Sequence, residues 1–500
     1  MKTRRVFVAA LLCLAFAGAV QAKEAVLKVA QVADISNLDP HRINDVYSAN
    51  VVRQVYNGLV QMDDMIRIKG DLAESWENPD AKTWIFHLRK GVKFHNGEEL
   101  TASDVKFTIE RILDQKTASP GAVHVKEIAS VEASDPHTVK ITTKNPFAPL
   151  LSSLSRYELS VLNEKAVKAG GDAYGKNPVG TGPFKFVEWK SGDRVTLAKF
   201  ADYFQGPAKV DGIVFRAIPE DATRLVELES GAVDIVSNLP PQDFDRMSKN
   251  PNVTVVDVQG QSTLYMGINE ELKPFDNKLV RQALNYAVDK QAIIDAVFFG
   301  KAAASSGPIS PSIWGFDETL KPVYPYDPEK AKELLKKAGF PNGFECVILT
   351  DPRTERKSVS ELVQSYLEAV GVKASIEAIE WGAFLSATAK GAKGMFIMGW
   401  TGTGDADGGL FPRFHSSNIG AANRSRTRSA EIDGLLQKGR TTIDEKERKD
   451  VYKKLQAMII DEAPEIFIAV TKNLAATRKN VKGYVMYPSL ISPLYGVSIE

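Results

Sequence analysis

Trp84-Ile-Phe-His-Leu-Arg-Lys-Gly-Val-Lys-Phe-His-Asn-Gly97, followed by Leu100-Thr-Ala-Ser-Asp-Val-Lys-Phe-Thr108, is the stretch on which the fold of this chain turns. Trp84, Phe86 and Leu88 alternate with Ile85 and His87, a period of two that predicts a strand with one buried face. Thr101 and Asp104 then cap a helix whose inward face is Val105, Ile109 and Ile112. Trp76, Trp84, Phe86 and Phe94 are too apolar to stand apart from that helix and are assigned to the core of one subdomain.

The same succession of strand and helix extends outward in both directions. Strands are predicted at 26–32, 138–143, 194–199, 212–218, 263–268, 395–400 and 466–470. Asp327 and Pro328 open a helix with Ala331, Leu334, Leu335 and Ala338 inward, and Gly339 closes it. Two more helices follow one another, the first through Val280, Ala283, Leu284, Ala287 and Val288. The second starts at Asp289, turns Ile293, Ile294 and Val297 inward, and ends at Gly300. Residues 447–460 form another amphipathic helix. This regular alternation predicts an α/β protein.

At the N-terminus, Lys2, Arg4 and Arg5 precede an apolar run over 6–20, and Val20-Gln21-Ala22 supplies small or modest residues for cleavage. The run is shorter than the roughly 20 residues of a bilayer span, so 1–22 is expected to be a secretion signal, with the mature protein in the periplasm. Cys13 follows Leu12, where a lipoprotein site wants a small residue. Cys346 is the one cysteine beyond the signal, so no intramolecular disulfide is expected. The 63 basic and 62 acidic side chains leave no basic excess for nucleic acid. A chain of 500 residues exceeds the about 250–300 that one core supports.

Catalytic motifs are missing. There is no G-x-S-x-G, no phosphate-loop lysine and no cysteine beside a histidine, and the six histidines are scattered without metal-ligand spacing. Gly402-Thr-Gly404 begins like a dinucleotide fingerprint, but its third glycine is misplaced and no helical pattern is visible after it. Asp405-Ala-Asp407-Gly408 starts like a calcium loop without the later ligands. No enzyme activity and no cofactor are expected.

Several phrases, in order along the chain, resemble the solute-binding proteins of peptide ABC importers, the bacterial extracellular solute-binding protein family 5. Besides the opening stretch they include Leu72-Ala-Glu-Ser-Trp76, Asn177-Pro-Val-Gly-Thr-Gly-Pro-Phe184, Pro274-Phe-Asp-Asn277, Val280-Arg-Gln-Ala-Leu-Asn-Tyr-Ala287, Tyr326-Asp-Pro-Glu-Lys-Ala331 and Met398-Gly-Trp-Thr-Gly402. Trp400-Thr-Gly-Thr-Gly-Asp-Ala-Asp407 and Pro308-Ile-Ser-Pro-Ser-Ile313 are similar to the glutathione-binding branch; the dipeptide branch has an aspartate where Thr403 stands. The resemblance implies a bilobed periplasmic binding protein fold of the cluster C type, with an extra subdomain in the first lobe. Lobe I would comprise 23–55, 176–262 and 476–500, the accessory subdomain 56–175, and lobe II 263–475. It implies a monomer that captures di- or oligopeptides, glutathione among them, and docks on a permease and ATPase complex of the inner membrane. The same scaffold also suits a nickel complex, haem or another small metabolite.

A zwitterionic peptide buried between lobes needs partners for both charged ends and for its amides. Gly402 to Gly409 follows a strand, and ligands of open α/β sheets sit beyond the carboxyl ends of strands. Asp405 is therefore the first candidate for the ammonium and Asp407 the second, although an Asp in a Gly-rich turn commonly bonds its own backbone. Arg353 or Arg356 would hold the carboxylate bidentately; in the dipeptide branch the arginine with that role falls at Thr350 here. Trp400 is a candidate cleft wall. Thr401, Thr403, Tyr265, Ser36 and Asn37 are candidate hydrogen-bonding groups. Arg424, Arg426 and Arg428 read as an exposed charged loop.

Overall fold

The computed structural model describes residues 24–500, so the signal assigned to 1–22 lies outside the described residues. Two long antiparallel strands, Val253–Ile268 and Glu465–Arg478, form the spine of the large sheet. Their lower halves pair Val253–Gln259 with Lys472–Arg478, and their upper halves pair Thr263–Gly267 with Glu465–Val470. Between them the register breaks, and Gly260, Gln261 and Ser262 lie opposite Thr471. Such a bulge bends a strand without cutting it. Only the upper half, 263–268, and 466–470 of its partner are legible as strands. The lower halves are hidden because the glycine and polar residues at the bulge look like a terminus.

Each half of the spine carries a different body. Beside the lower half, Ile235–Val236 pairs with Glu465–Arg478, and Val26–Gln31, Gly212–Ala217, Arg194–Lys199 and Phe184–Lys190 follow in order. Beside the upper half come Met395–Thr401, Glu345–Thr350 and Lys373–Ala378. Val26–Gln31 runs parallel to Gly212–Ala217, and Glu345–Thr350 parallel to Lys373–Ala378. The upper body buries Leu264, Met266 and Ile397 against the helices Lys278–Ala287 and Lys290–Phe298. The predicted inward faces of those helices are buried, with Val297 partly so.

The opening stretch of sequence forms a separate four-stranded antiparallel sheet, in the order Ala73–Asp80, Thr83–Leu88, Thr138–Thr143, Ile128–Asp135. Trp84, Phe86 and Leu88 enter its core with Phe94, Val105, Ile109 and Ile112. The helix Ala102–Leu113 begins in a capping box, with the Thr101 N–H donating to Asp104 Oδ2 at 3.0 Å. Its reciprocal bonds satisfy donors that a helix start leaves unpaired.

One sequence expectation is corrected here. A helix, Ala406–Phe414, does follow Gly402–Gly404 immediately. Gly408, Gly409 and Pro412 all disfavour a helix locally, so its pattern is weak. It forms because Asp405 caps it and Ala406, Leu410 and Phe414 are buried against the helices Ala430–Thr441 and Glu445–Glu462. Tertiary packing overrides propensity there. No helix of the described residues is long and apolar enough to cross a membrane.

Candidate functional site

A cavity of about 340 Å³ lies between the two bodies. Arg53, Arg156, Tyr157 and Tyr487 line it from one side; Gln261, Thr401, Gly402 and Thr403 line it from the other. A longer groove of about 1050 Å³ lies beyond, sharing Met62 and Ile66 with it and reaching Gly404, Asp405 and Trp314. The turn that ends Met395–Thr401 therefore separates two connected spaces. Gly404 has φ +83, and a Cβ there would strike Met62 Sδ, so the turn needs glycine where it meets the hairpin Val60–Met62/Ile68–Gly70. Elsewhere the bodies touch through Ala148, whose N–H donates to Arg440 O at 2.8 Å.

Met395–Thr401 has an unusual edge. On one side all of Met395 to Thr401 pairs with Ser262 to Ile268. On the other, Glu345–Thr350 pairs only with Met395 and Phe396. The outer edge of Ile397 to Thr401 carries no strand partner among the described residues. Ile397 and Met398 are buried, Gly399 and Trp400 are half-buried, and Thr401, which lines the cavity, is exposed, so the unpaired edge is accessible only from Gly399 to Thr401.

Arg356 stands at that edge. It belongs to the first turn of Thr354–Glu368, the helix that follows Glu345–Thr350. Its Nη2 comes so close to Gly399 that a Cβ there would lie 3.0 Å away. Nη1 is buried and has no hydrogen-bond partner. Burial, with Arg353 nearby, pulls its pKa down. Glu355 and Asp351 act on it from a distance, but a buried guanidinium nitrogen with no acceptor is costly unless a ligand supplies one. Arg353 differs: it is exposed, Nε and Nη2 each donate to Asp351 at 2.7 Å, and its guanidinium lies 4.6 Å over the Trp381 ring.

The two acids of the turn do not stand free. Asp405 Oδ2 and Oδ1 accept from Arg448 Nη1 and Nη2 at 2.7 and 2.6 Å, and Oδ1 also accepts from the Asp407 N–H at 2.9 Å. Its charge is neutralised within its own body while one face borders the longer groove. Asp407 is buried with Arg440 Nε 3.1 Å from Oδ1, oriented so that no hydrogen bond forms. Burial pushes it up to about 6, against the pull of Arg440 and with the repulsion of Asp405.

The remaining candidates scatter. Thr401 and Thr403 line the cavity, and Thr401 Oγ1 lies 2.9 Å from Ser262 Oγ. Trp400 Nε1 donates to Gly408 O at 3.0 Å, tying strand to turn. Tyr265 is 3% exposed beneath the Arg413 guanidinium at 4.4 Å, and burial pushes it up to about 12 despite that cation. Ser36 Oγ donates to Asp45 Oδ2 at 2.7 Å and Asn37 Oδ1 accepts from the Asp39 N–H at 2.9 Å, so both serve local turns. Neither lines the cavity. Arg53, Arg156, Tyr487 and Gln261, which do, sit in segments without any motif, and nothing in the sequence announces them. Arg424 is not simply exposed: Nη1 donates to Leu385 O at 2.6 Å.

The family model described as Bacterial extracellular solute-binding proteins, family 5 Middle, matches residues 67–421. The Heme-binding protein A of Haemophilus influenzae is 36% identical, over 90% of this chain and 87% of that protein. The Glutathione-binding protein GsiB of Escherichia coli O1:K1 / APEC is 34% identical over 93% of each chain. Among solved structures, the ABC transporter-associated periplasmic binding protein DppA from Helicobacter pylori, in complex with the peptide STSA, superposes with a TM-score of 0.81. It shares 33% identity, and the match covers 95% of this chain and 99% of that one. The fold is thus the bilobed, mixed α/β fold of periplasmic binding proteins.

Proposed function

Because the chain belongs to family 5 of the bacterial extracellular solute-binding proteins, we propose that it is the receptor subunit of an ABC importer. It captures a short peptide, glutathione included, between its lobes and hands it to a permease and ATPase complex in the membrane. It performs no chemistry and works in the periplasm as a monomer. The observation that carries this reading is the unpaired, accessible edge of Gly399 to Thr401 with Arg356, whose Nη1 has no partner, beside it.

An extended peptide laid along that edge exchanges backbone hydrogen bonds with the strand. Its amides are satisfied whatever its side chains are. Its carboxylate meets Arg356, whose fork suits two oxygens. Thr401 and Thr403 face the rest of the ligand in the cavity, and Trp400 holds the edge in place. Asp405 and Asp407 act here by shaping the turn rather than by meeting an ammonium.

The expected lobes, 23–55, 176–262 and 476–500 in the first, with 56–175 as its accessory subdomain, and 263–475 in the second, follow the bodies on either half of the spine, except that 472–475 pairs within the lower half and so goes with the first. Closure rotates them about Gly260 to Ser262 and Thr471, where the register breaks. A ligand touching both sides stabilises the closed state only by contacts the open state lacks.

Thermal melting against a panel of di- and tripeptides tests this, since a ligand specific to the folded state raises the midpoint. Mass spectrometry of whatever co-purifies with native protein identifies the cargo directly. A flat panel together with a co-purified haem, nickel complex or other non-peptide would sink the peptide reading and leave the receptor fold standing.

A further inference from the structure

Ile66 has a backbone conformation that its side chain disfavours. It lies in the loop 63–67, which joins the strands Val60–Met62 and Ile68–Gly70. Its φ is +62, in the left-handed region where a β-branched residue is an outlier and glycine is the usual occupant. Asp63 fixes the loop in that shape. Its Oδ1 accepts from the Met65 and Arg67 N–H groups, both at 2.9 Å, and its Oδ2 from Arg67 Nε at 2.8 Å. The Ile66 N–H donates to the Asp63 carbonyl at 3.1 Å, and Lys69 Nζ lies 2.8 Å from Oδ2. Glycine at position 66 would close the same turn without strain, so the turn itself does not call for isoleucine.

Packing within its own body does not account for the side chain either. Ile68, two residues on, packs against the core of the four-stranded sheet. Ile66 is half-buried and joins no hydrophobic core among the described residues. It faces the opposite body instead. A Cβ on Gly404 would strike Met62 and come 3.4 Å from Ile66 Cγ2. Met62 and Ile66 are also the two residues that line both the cavity of about 340 Å³ and the groove of about 1050 Å³. Their side chains and the Gly404 turn therefore form the waist between the two spaces. The waist is apolar, so a peptide crossing it would strip water from its amides and find no side-chain partner there. The smaller space is at the low end of the about 300–1,000 Å³ usual for small-molecule sites.

Resting on the peptide reading, we propose that Ile66 and Met62 set the length of the ligand. They close the cavity against the groove at Gly404, so a peptide confined to the cavity is accepted and one long enough to cross the waist is rejected. Selection of this kind works by obstructing the wrong ligand rather than by gripping the right one.

Isothermal titration with trialanine and pentaalanine, which share their chemistry and differ in length, tests this. The unmodified protein is expected to bind trialanine about tenfold more tightly than pentaalanine. Ile66→Gly, which keeps the left-handed turn and removes the side chain, and Met62→Ala are each expected to bring the two affinities within about threefold. Unchanged melting of the ligand-free variants shows that the fold is intact, and Met62→Ala provides the comparison where Ile66→Gly melts early. Pentaalanine bound as tightly as trialanine by the unmodified protein, or a length preference that survives in both variants, overturns the proposal while leaving the peptide reading in place. Binding of neither peptide by any of the three proteins overturns both.

Discussion

Asp405 and Arg448 form a closed pair: both carboxylate oxygens accept from the guanidinium, at 2.7 and 2.6 Å, and the two side chains are only 8% and 6% exposed. The same carboxylate caps Ala406–Phe414. Arg448 also lies 4.5 Å over the Trp314 ring. One aspartate therefore fixes the turn after Met395–Thr401 to the helix Glu445–Glu462, a second element of the same lobe.

Removing one partner of that pair is expected to be costly. Asp405→Ala leaves Arg448 buried without an anion and unmakes a helix cap, a loss of about 3–5 kcal/mol in equilibrium denaturation. The double variant Asp405→Leu/Arg448→Met is expected to recover much of it, because no charge then stays buried. A single-variant loss below about 1 kcal/mol would show that the pair is not what secures the turn.

Arg356 is expected to behave in the opposite way. Its Nη1 has no partner and burial disfavours its charge. Arg356→Gln should leave the melting of the ligand-free protein unchanged or slightly raised. Peptide affinity should fall at least tenfold, as loss of a charge-assisted bond of about 1.5–3 kcal/mol requires. Titration of the variant with a tripeptide checks both halves; undiminished affinity removes Arg356 from the site.

Gly260 occupies the register break, where a Cβ would lie 2.8 Å from Thr471 O and 2.7 Å from Asn473 Oδ1. Its own carbonyl accepts from Ser310 Oγ at 2.6 Å and Ser312 Oγ at 2.9 Å. A backbone oxygen cannot yield as a side chain does. Gly260→Ala is therefore expected to force the crossing strands apart and shift the lobes toward opening. Small-angle scattering should show a larger radius of gyration with peptide present, together with weaker binding. An unaltered scattering curve would place the hinge elsewhere.

Asp407 gives a pH signature. Burial pushes it up to about 6, above the about 3.9 of an unfolded aspartate. As pH falls, the folded protein takes up this proton before the unfolded chain does. The resulting contribution to stability is complete below about pH 3.9 and is lost as pH rises through about 6. The difference in stability between wild type and Asp407→Asn is expected to change across that window and to be flat above pH 7. Melting curves of both proteins from pH 4 to pH 8 measure it; parallel profiles would contradict it.

Much of the fold is legible from sequence because local and global preferences agree. Thr101 caps, Val105, Ile109 and Ile112 point inward, and the helix is where the spacing puts it. Trp84, Phe86 and Leu88 are equally plain, since a half-buried strand must alternate. The helix Ala406–Phe414 is not legible, for its glycines and proline speak against it and only burial of Leu410 and Phe414 makes it form. Val253–Ile268 is half legible, because the bulge that joins the lobes looks in sequence like a terminus.

The site divides in the same way. The rule that ligands lie beyond strand ends, a property of chain order, picks out the turn after Met395–Thr401, and Thr401 and Thr403 of that turn do line a cavity. Which charges remain free there is a property of three-dimensional pairing. Asp405, Arg353 and Arg356 all look available in sequence; Arg448 and Asp351 take the first two, and Arg356 alone of the three keeps a buried nitrogen without a partner. Sequence alone determined the α/β class and the family, because both depend on local spacing and ordered motifs. Only the tertiary structure decided which of these charges are paired, because a charge is neutralised by whatever lies within a few ångströms of it, however distant along the chain.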